Sequence, residues 1–170
     1  MFVAGKKIEL GESGATVAAN VKRARDGRPY TEVSKRLKEF GRDIPPLALR
    51  RIEECGRRVD SDDLVALALA LGVSPLTLLM PLAEGPDVDV TVTGVDGTVS
   101  ARRAWEWLVA RRPLGDDSAA EHFGFTYRAL PAWLLGDEVE LVERGVAPNI
   151  TRTVEWKDGP DTERDRGDGR

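Results

Sequence analysis

The chain has 170 residues, 41% hydrophobic and 32% charged, with a net charge of −4. That balance gives one domain, or one small domain with an extension, able to bury a core. It excludes collagen-like, disulfide-scaffold and wholly disordered classes. One cysteine, Cys55, and one histidine, His122, cannot build an internal disulfide, a Cys-x-x-Cys site or a zinc cluster. No metal, cofactor or catalytic residue is assigned, and the chain does not read as an enzyme.

The net charge hides an asymmetry. Residues 1–81 carry 14 Lys/Arg against 11 Asp/Glu, a net of +3, and residues 82–170 carry 11 against 18, a net of −7. Residues 22–58 alone hold 12 basic and 6 acidic side chains, a local net of +6. A basic segment beside an acidic one suits a nucleic-acid module joined to a part with a different role. Arginines outnumber lysines 19 to 6, a bias of GC-rich coding genomes such as those of actinobacteria and their phages. The start of the chain lacks the apolar core of a secretion signal. Leu64 to Ala83 runs for twenty positions without a charge, the length of a membrane span. Gly72-Val73-Ser74-Pro75 interrupts it with a helix stop, an N-cap and an N1 proline, so it reads as two short helices of a cytoplasmic protein with no membrane partner.

Five short helices are expected before residue 82. The first runs from about Thr16 to Arg25, with Val17, Val21 and Ala24 on one face, and ends at Gly27. The second runs from about Tyr30 to Phe40, with Val33, Leu37 and Phe40 inward, and Gly41 stops it. After Pro45 the third covers about Pro46 to Cys55, apolar at Leu49 and Ile52, with Gly56 as its stop. Asp60 or Ser61 caps the fourth, which carries Leu64, Leu67, Ala68 and Leu71. Ser74 and Pro75 open the fifth. Burying Leu49 and Ile52 leaves Pro46, Leu47, Arg50, Arg51 and Glu54 outside. Glu53 interrupts the basic surface and is placed to pair with an arginine.

The segments TVAANVKRARDGRPYTEVSKRL, LALRRIEECGRRV and DSDDLVALALALGVSPLTLL resemble the Cro and lambda-repressor type of helix-turn-helix, the xenobiotic-response-element (XRE) family of bacterial and phage regulators. The resemblance covers residues 14–81. KEFGRDIPP lengthens the connection between the second and third helices beyond the family's usual turn, and Cys55 stands where the family commonly has glycine. The resemblance implies an all-α, five-helix, lambda-repressor-like DNA-binding domain. It implies base contacts from Pro46 and Leu47 (apolar) and from Arg51 helped by Arg50, the two arginines reading guanine O6 and N7. It implies phosphate contacts from Tyr30, Thr31, Arg57 and Arg58, which set register without reading sequence.

Residues 82–87 read as a linker, and residues 88–157 as a small α+β domain for dimerisation or partner binding. There Val88, Val90 and Val92 alternate with polar residues as a strand, Asp96-Gly97 marks a hairpin turn, and Thr98-Val99 return. Ser100 caps a helix to about Ala110. Trp105 and Trp107 cannot share one face of it, so one is left for a partner or dimer surface. Ser118 to Leu135 reads as a helical or irregular stretch broken at Gly124 and Pro131, with His122 on a surface loop. Glu138 to Val142 reads as a strand or short helix, and residues 158–170 as a disordered tail. Lys157 is the only lysine after Lys38, and no serine nucleophile motif accompanies it, so self-cleavage is not expected.

The expected function is therefore a sequence-specific, double-stranded DNA-binding transcriptional regulator, a repressor of phage or prophage type. A homodimer on paired half-sites is expected, because one helix reads few base pairs, with a monomer as the other arrangement. The alternative is a protein–protein interaction module, a host-factor binder or antitoxin-like protein, with the acidic half as the binding surface.

Overall fold

The periodic apolar stripes and the glycine stops form mostly helices, with two small antiparallel strand pairs. The computed structural model describes residues 9–115, 118–137, 139–144 and 151–156. The chain divides into two compact units, Met1–Leu108 and Val109–Arg170. The expected tail, 158–170, lies outside the described residues, as does Lys157.

In the first unit, α1 (Glu12–Arg25), α2 (Tyr30–Glu39), α3 (Pro46–Glu53), α4 (Ser61–Leu71) and α5 (Pro75–Leu79) precede the short strands β1 (Asp89–Val90) and β2 (Val99–Ser100) and the helix α6 (Ala101–Leu108). Val17 and Val21 of α1, Val33 and Leu37 of α2, Ile44, Leu49 and Ile52 of the α3 region, Leu67 and Leu71 of α4 and Leu78 of α5 form one buried core. Apart from Ile44 and Leu78, these are residues whose helical spacing marked them as inward, whereas Phe40, also expected inward, is 45% exposed at the end of α2. Gly27, Gly41 and Gly72 all have positive φ where α1, α2 and α4 stop, a conformation that costs glycine little. The Asp60 carboxylate accepts from Asp63 N–H at the start of α4, and Ser74 Oγ accepts from Leu76 N–H at the start of α5. The uncharged run thus splits at Gly72, and no helix among the described residues is long and apolar enough to cross a membrane.

Three expectations change here. First, α1 begins at Glu12, a turn before Thr16; its first turn shows no apolar period, because Ser13 there turns to a polar partner. Second, the 88–93 strand shrinks to Asp89–Val90, paired with Ser100 and Val99. The Thr93 N–H donates to Ser13 Oγ at 3.1 Å, and Ser13 N–H donates to Thr93 Oγ1 at 3.0 Å, so α1 takes the bonds a longer ladder would use. Third, the compact units do not divide at 82–87. The hairpin and α6 belong with α1–α5, because those Ser13–Thr93 bonds tie them to α1 and Met80 packs on the small cluster of Val90, Ala101 and Ala104.

The second unit holds α7 (Ala119–Ala129), α8 (Leu134–Asp137), β3 (Val139–Arg144) and β4 (Thr151–Trp156). β3 and β4 pair antiparallel, from Val139 opposite Trp156 to Arg144 opposite Thr151. Ser118 Oγ accepts from Glu121 N–H to cap α7. Gly124 does not break α7: the Arg128 guanidinium covers it, about 3.0 Å from where a Cβ would stand. His122 lies on α7, half-buried, rather than on a surface loop.

Candidate nucleic-acid interface

Burying Leu49 and Ile52 turns the opposite face of α3 outward. Leu47, Arg50, Arg51 and Glu54 follow at i, i+3, i+4 and i+7, one continuous stripe, and all four are exposed, Leu47 by 59%. Pro46 occupies the first turn and is half-buried. Arg50 Nε donates to Glu54 Oε1 at 2.7 Å, and that bond raises the Arg50 pKa above its ordinary value. The Arg51 guanidinium makes no hydrogen bond or ion pair with the described residues. Of the two arginines expected to read bases, Arg51 is the one without a competing carboxylate.

Two buried carboxylates hold the ends of α3. The Glu53 side chain, 3% exposed, accepts from Arg25 Nε at 2.7 Å, from Arg25 Nη2 at 3.0 Å and from the Tyr30 hydroxyl at 2.8 Å. The Arg25 guanidinium also lies over the Tyr30 ring, 4.3 Å from its centroid. α1, α2 and α3 therefore meet at one carboxylate. The hydrogen bond to Glu53, with burial and the carboxylate charge, raises the Tyr30 pKa above 10.0, and the same bond raises that of Arg25. The second carboxylate, Asp63 of α4, is 2% exposed and accepts from Arg42 Nη2 at 2.6 Å and from Arg57 Nη2 at 2.8 Å. It thus ties the turn before α3 and the loop after it to α4. Ser34 Oγ donates to the Ile44 carbonyl at 2.8 Å, closing the longer α2–α3 connection from inside.

These networks revise the expected phosphate contacts. Tyr30 has one hydroxyl proton, and Glu53 accepts it; Tyr30 builds the helix junction and has no proton left to donate to a phosphate. Thr31 is exposed in the first turn of α2. The N-cap of α2 is Pro29, whose side chain offers no acceptor; its carbonyl takes the Glu32 and Val33 N–H, and the Tyr30 and Thr31 amides have no acceptor within the helix. Arg57 gives one N–H to Asp63 and keeps the others. Arg58 Nη2 donates to the Glu9 carbonyl at 2.9 Å from an exposed position.

Sequence reasoning placed Glu53 in an ion pair without finding Arg25, and it missed Asp63, Arg42 and Asn20. The signal for Glu53 and Asp63 is positional, since each shares a helix face with core leucines, where a carboxylate needs a cation or N–H donors. Asn20, fully buried in α1, donates to the Leu78 carbonyl at 3.1 Å and the Met80 carbonyl at 2.8 Å. Trp105 and Trp107 are 44% and 36% exposed but border different recesses, so they do not form one surface. Among the described residues no cluster of three His, Cys, Asp or Glu side chains could hold a metal ion.

Compared with family models, curated proteins and solved structures, the chain matches none.

Proposed function

We propose that the α1–α5 region is a sequence-specific, double-stranded DNA-binding module of the Cro and lambda-repressor type, in a transcriptional regulator that acts as a repressor. The observation that carries this is the outward stripe of α3, with the exposed Arg51 guanidinium one turn beyond the exposed Leu47. A guanidinium on such a stripe has the fork geometry for guanine O6 and N7 in the major groove, and Leu47 offers apolar contact to a thymine methyl. Support also comes from the uncapped start of α2, beside exposed Thr31, and from Arg57 and Arg58 in the following loop, which suit phosphates on either side. Glu53 and Asp63 supply the rigidity a reading helix needs, holding α3 against three other helices. A homodimer on two half-sites is the arrangement that gives such a helix enough base pairs.

A second reading, a protein-docking module, is favoured by Val65 and Leu69, one turn apart on α4 and about half exposed, at 49% and 51%. One experiment separates the two. The purified protein is titrated onto labelled duplexes from its own genomic neighbourhood over a range of salt. A DNA reader gives competitor-resistant binding whose logarithm falls with log salt by about 0.9 per phosphate neutralised, and Arg51→Ala abolishes the preference for one duplex. Weak binding, equal on every fragment and indifferent to Arg51→Ala, favours the docking module.

A further inference from the structure

A cleft of about 500 Å³ opens on the first unit away from the α3 stripe, between the end of α1, the segment after α5 and the start of α6. Its walls are mainly apolar, from Met80, Leu82, Pro86 and the ring of Trp105. Leu82 is 59% exposed and Trp105 44%, so both present apolar surface to solvent. Among the described residues its charged lining is Arg23 and Arg102. Arg23 Nε donates to Asn20 Oδ1 at 3.3 Å, leaving its terminal nitrogens. The backbone N–H of Arg102 donates to the Pro86 carbonyl at 2.8 Å, which fixes the start of α6 at the rim. Its guanidinium has no hydrogen bond or ion pair with the described residues.

We propose that this cleft binds a small apolar carboxylic acid, with the carboxylate on Arg23 and Arg102 and the hydrocarbon or aromatic body against Trp105, Leu82 and Met80. The volume lies in the range of small-molecule sites, which combine apolar walls with a few convergent polar groups. Both charged side chains lining this apolar cleft are guanidiniums, and a carboxylate is the planar, bidentate partner that arginine matches. A neutral ligand gains the apolar contacts only, and a cation meets two like charges. The cleft is separate from the α3 stripe, so the proposal stands whether or not α3 reads DNA.

The test is calorimetric titration of the full chain with 2-naphthoate and octanoate as probes, beside neutral 2-naphthamide and cationic 2-naphthylmethylammonium. One charge-assisted contact changes affinity by about tenfold or more. Saturable 1:1 binding of a carboxylate is expected, at least tenfold tighter than the amide, with no binding of the amine. Arg102→Gln and Arg23→Gln should each weaken it at least fivefold, and Trp105→Leu should weaken all aromatic probes together. Unchanged far-ultraviolet circular dichroism shows that each variant is folded. The proposal is overturned if neither carboxylate binds saturably, if the amide binds as well as the acid, or if the Arg23→Gln/Arg102→Gln double variant keeps full affinity.

Discussion

Replacing Glu53 by glutamine tests whether α3 is held where the structure puts it. The carboxylate is 3% exposed and receives three hydrogen bonds, two from Arg25 and one from Tyr30. Removing one partner of a buried ion pair costs about 3–5 kcal/mol when the other charge is left without compensation. Arg25 keeps some compensation, because its side chain is 15% exposed, its Nη1 still donates to the Arg28 carbonyl at 2.8 Å, and its plane still covers the Tyr30 ring. The glutamine oxygen can accept one guanidinium N–H, while its NH₂ faces the second donor. The expected loss is therefore about 2–3 kcal/mol, just below the range for an abandoned charge. For a unit of this size that lowers Tm by about 10–20 °C. Urea denaturation followed by circular dichroism at 222 nm measures it, and a cycle with Arg25→Ala isolates the pair. A loss below about 1 kcal/mol, or a cycle with no coupling, would refute the view that this carboxylate anchors α3.

Three further substitutions probe separate links. Cys55 follows α3 with φ of 58° while Gly56 N–H closes back on the Arg51 carbonyl at 2.7 Å; Cys55→Gly relieves the left-handed conformation and should stabilise by about 1 kcal/mol, read from the denaturation midpoint. Asn20→Ala strips the Leu78 and Met80 carbonyls of their donor and should cost about 2–4 kcal/mol; an unchanged midpoint would contradict the role given to Asn20. In Tyr127→Phe the remaining tyrosine, Tyr30, should ionise above pH 10.0, seen in absorbance at 295 nm. Because the folded pKa is raised, the stability it contributes is complete below the unfolded tyrosine value and is lost as pH rises through the folded one; Glu53→Gln should bring the titration back down.

Sequence pattern made the core legible and left its polar ties hidden. Leu49, Ile52, Leu67 and Leu71 declare themselves by a 3.6-residue period, and Gly41 and Gly72 by the left-handed turns only glycine enters cheaply. The partners of Glu53 and Asp63 lie on other elements: Arg25 is 28 residues from Glu53, and Arg42 is 21 from Asp63. No local rule joins them. Tyr30 illustrates the result, since its place at the start of α2 suggested a phosphate donor, and Glu53 accepts its only proton. The expected Val88–Thr93 strand had the right alternation, but Ser13 competes for Thr93. A break was expected at Gly124, where the helix instead continues beneath Arg128. The exposed stripe of Leu47, Arg50, Arg51 and Glu54 follows directly from which side of α3 is apolar, so that part of the candidate site is legible in the sequence.

The most direct test of α3 as a reading helix is dimethyl sulfate footprinting of the duplex most enriched from a random pool by the full chain. Dimethyl sulfate methylates guanine N7 in the major groove, the atom an arginine fork would cover. If Arg51 reads guanine there, the wild-type protein protects at least one guanine N7 in each half-site. Arg51→Ala then loses that protection and about 1–3 kcal/mol of discrimination at that base pair, while phosphate contacts elsewhere persist. If no duplex enriches, or if every guanine N7 stays reactive beneath bound protein, α3 does not lie in the major groove and the DNA-reading role fails.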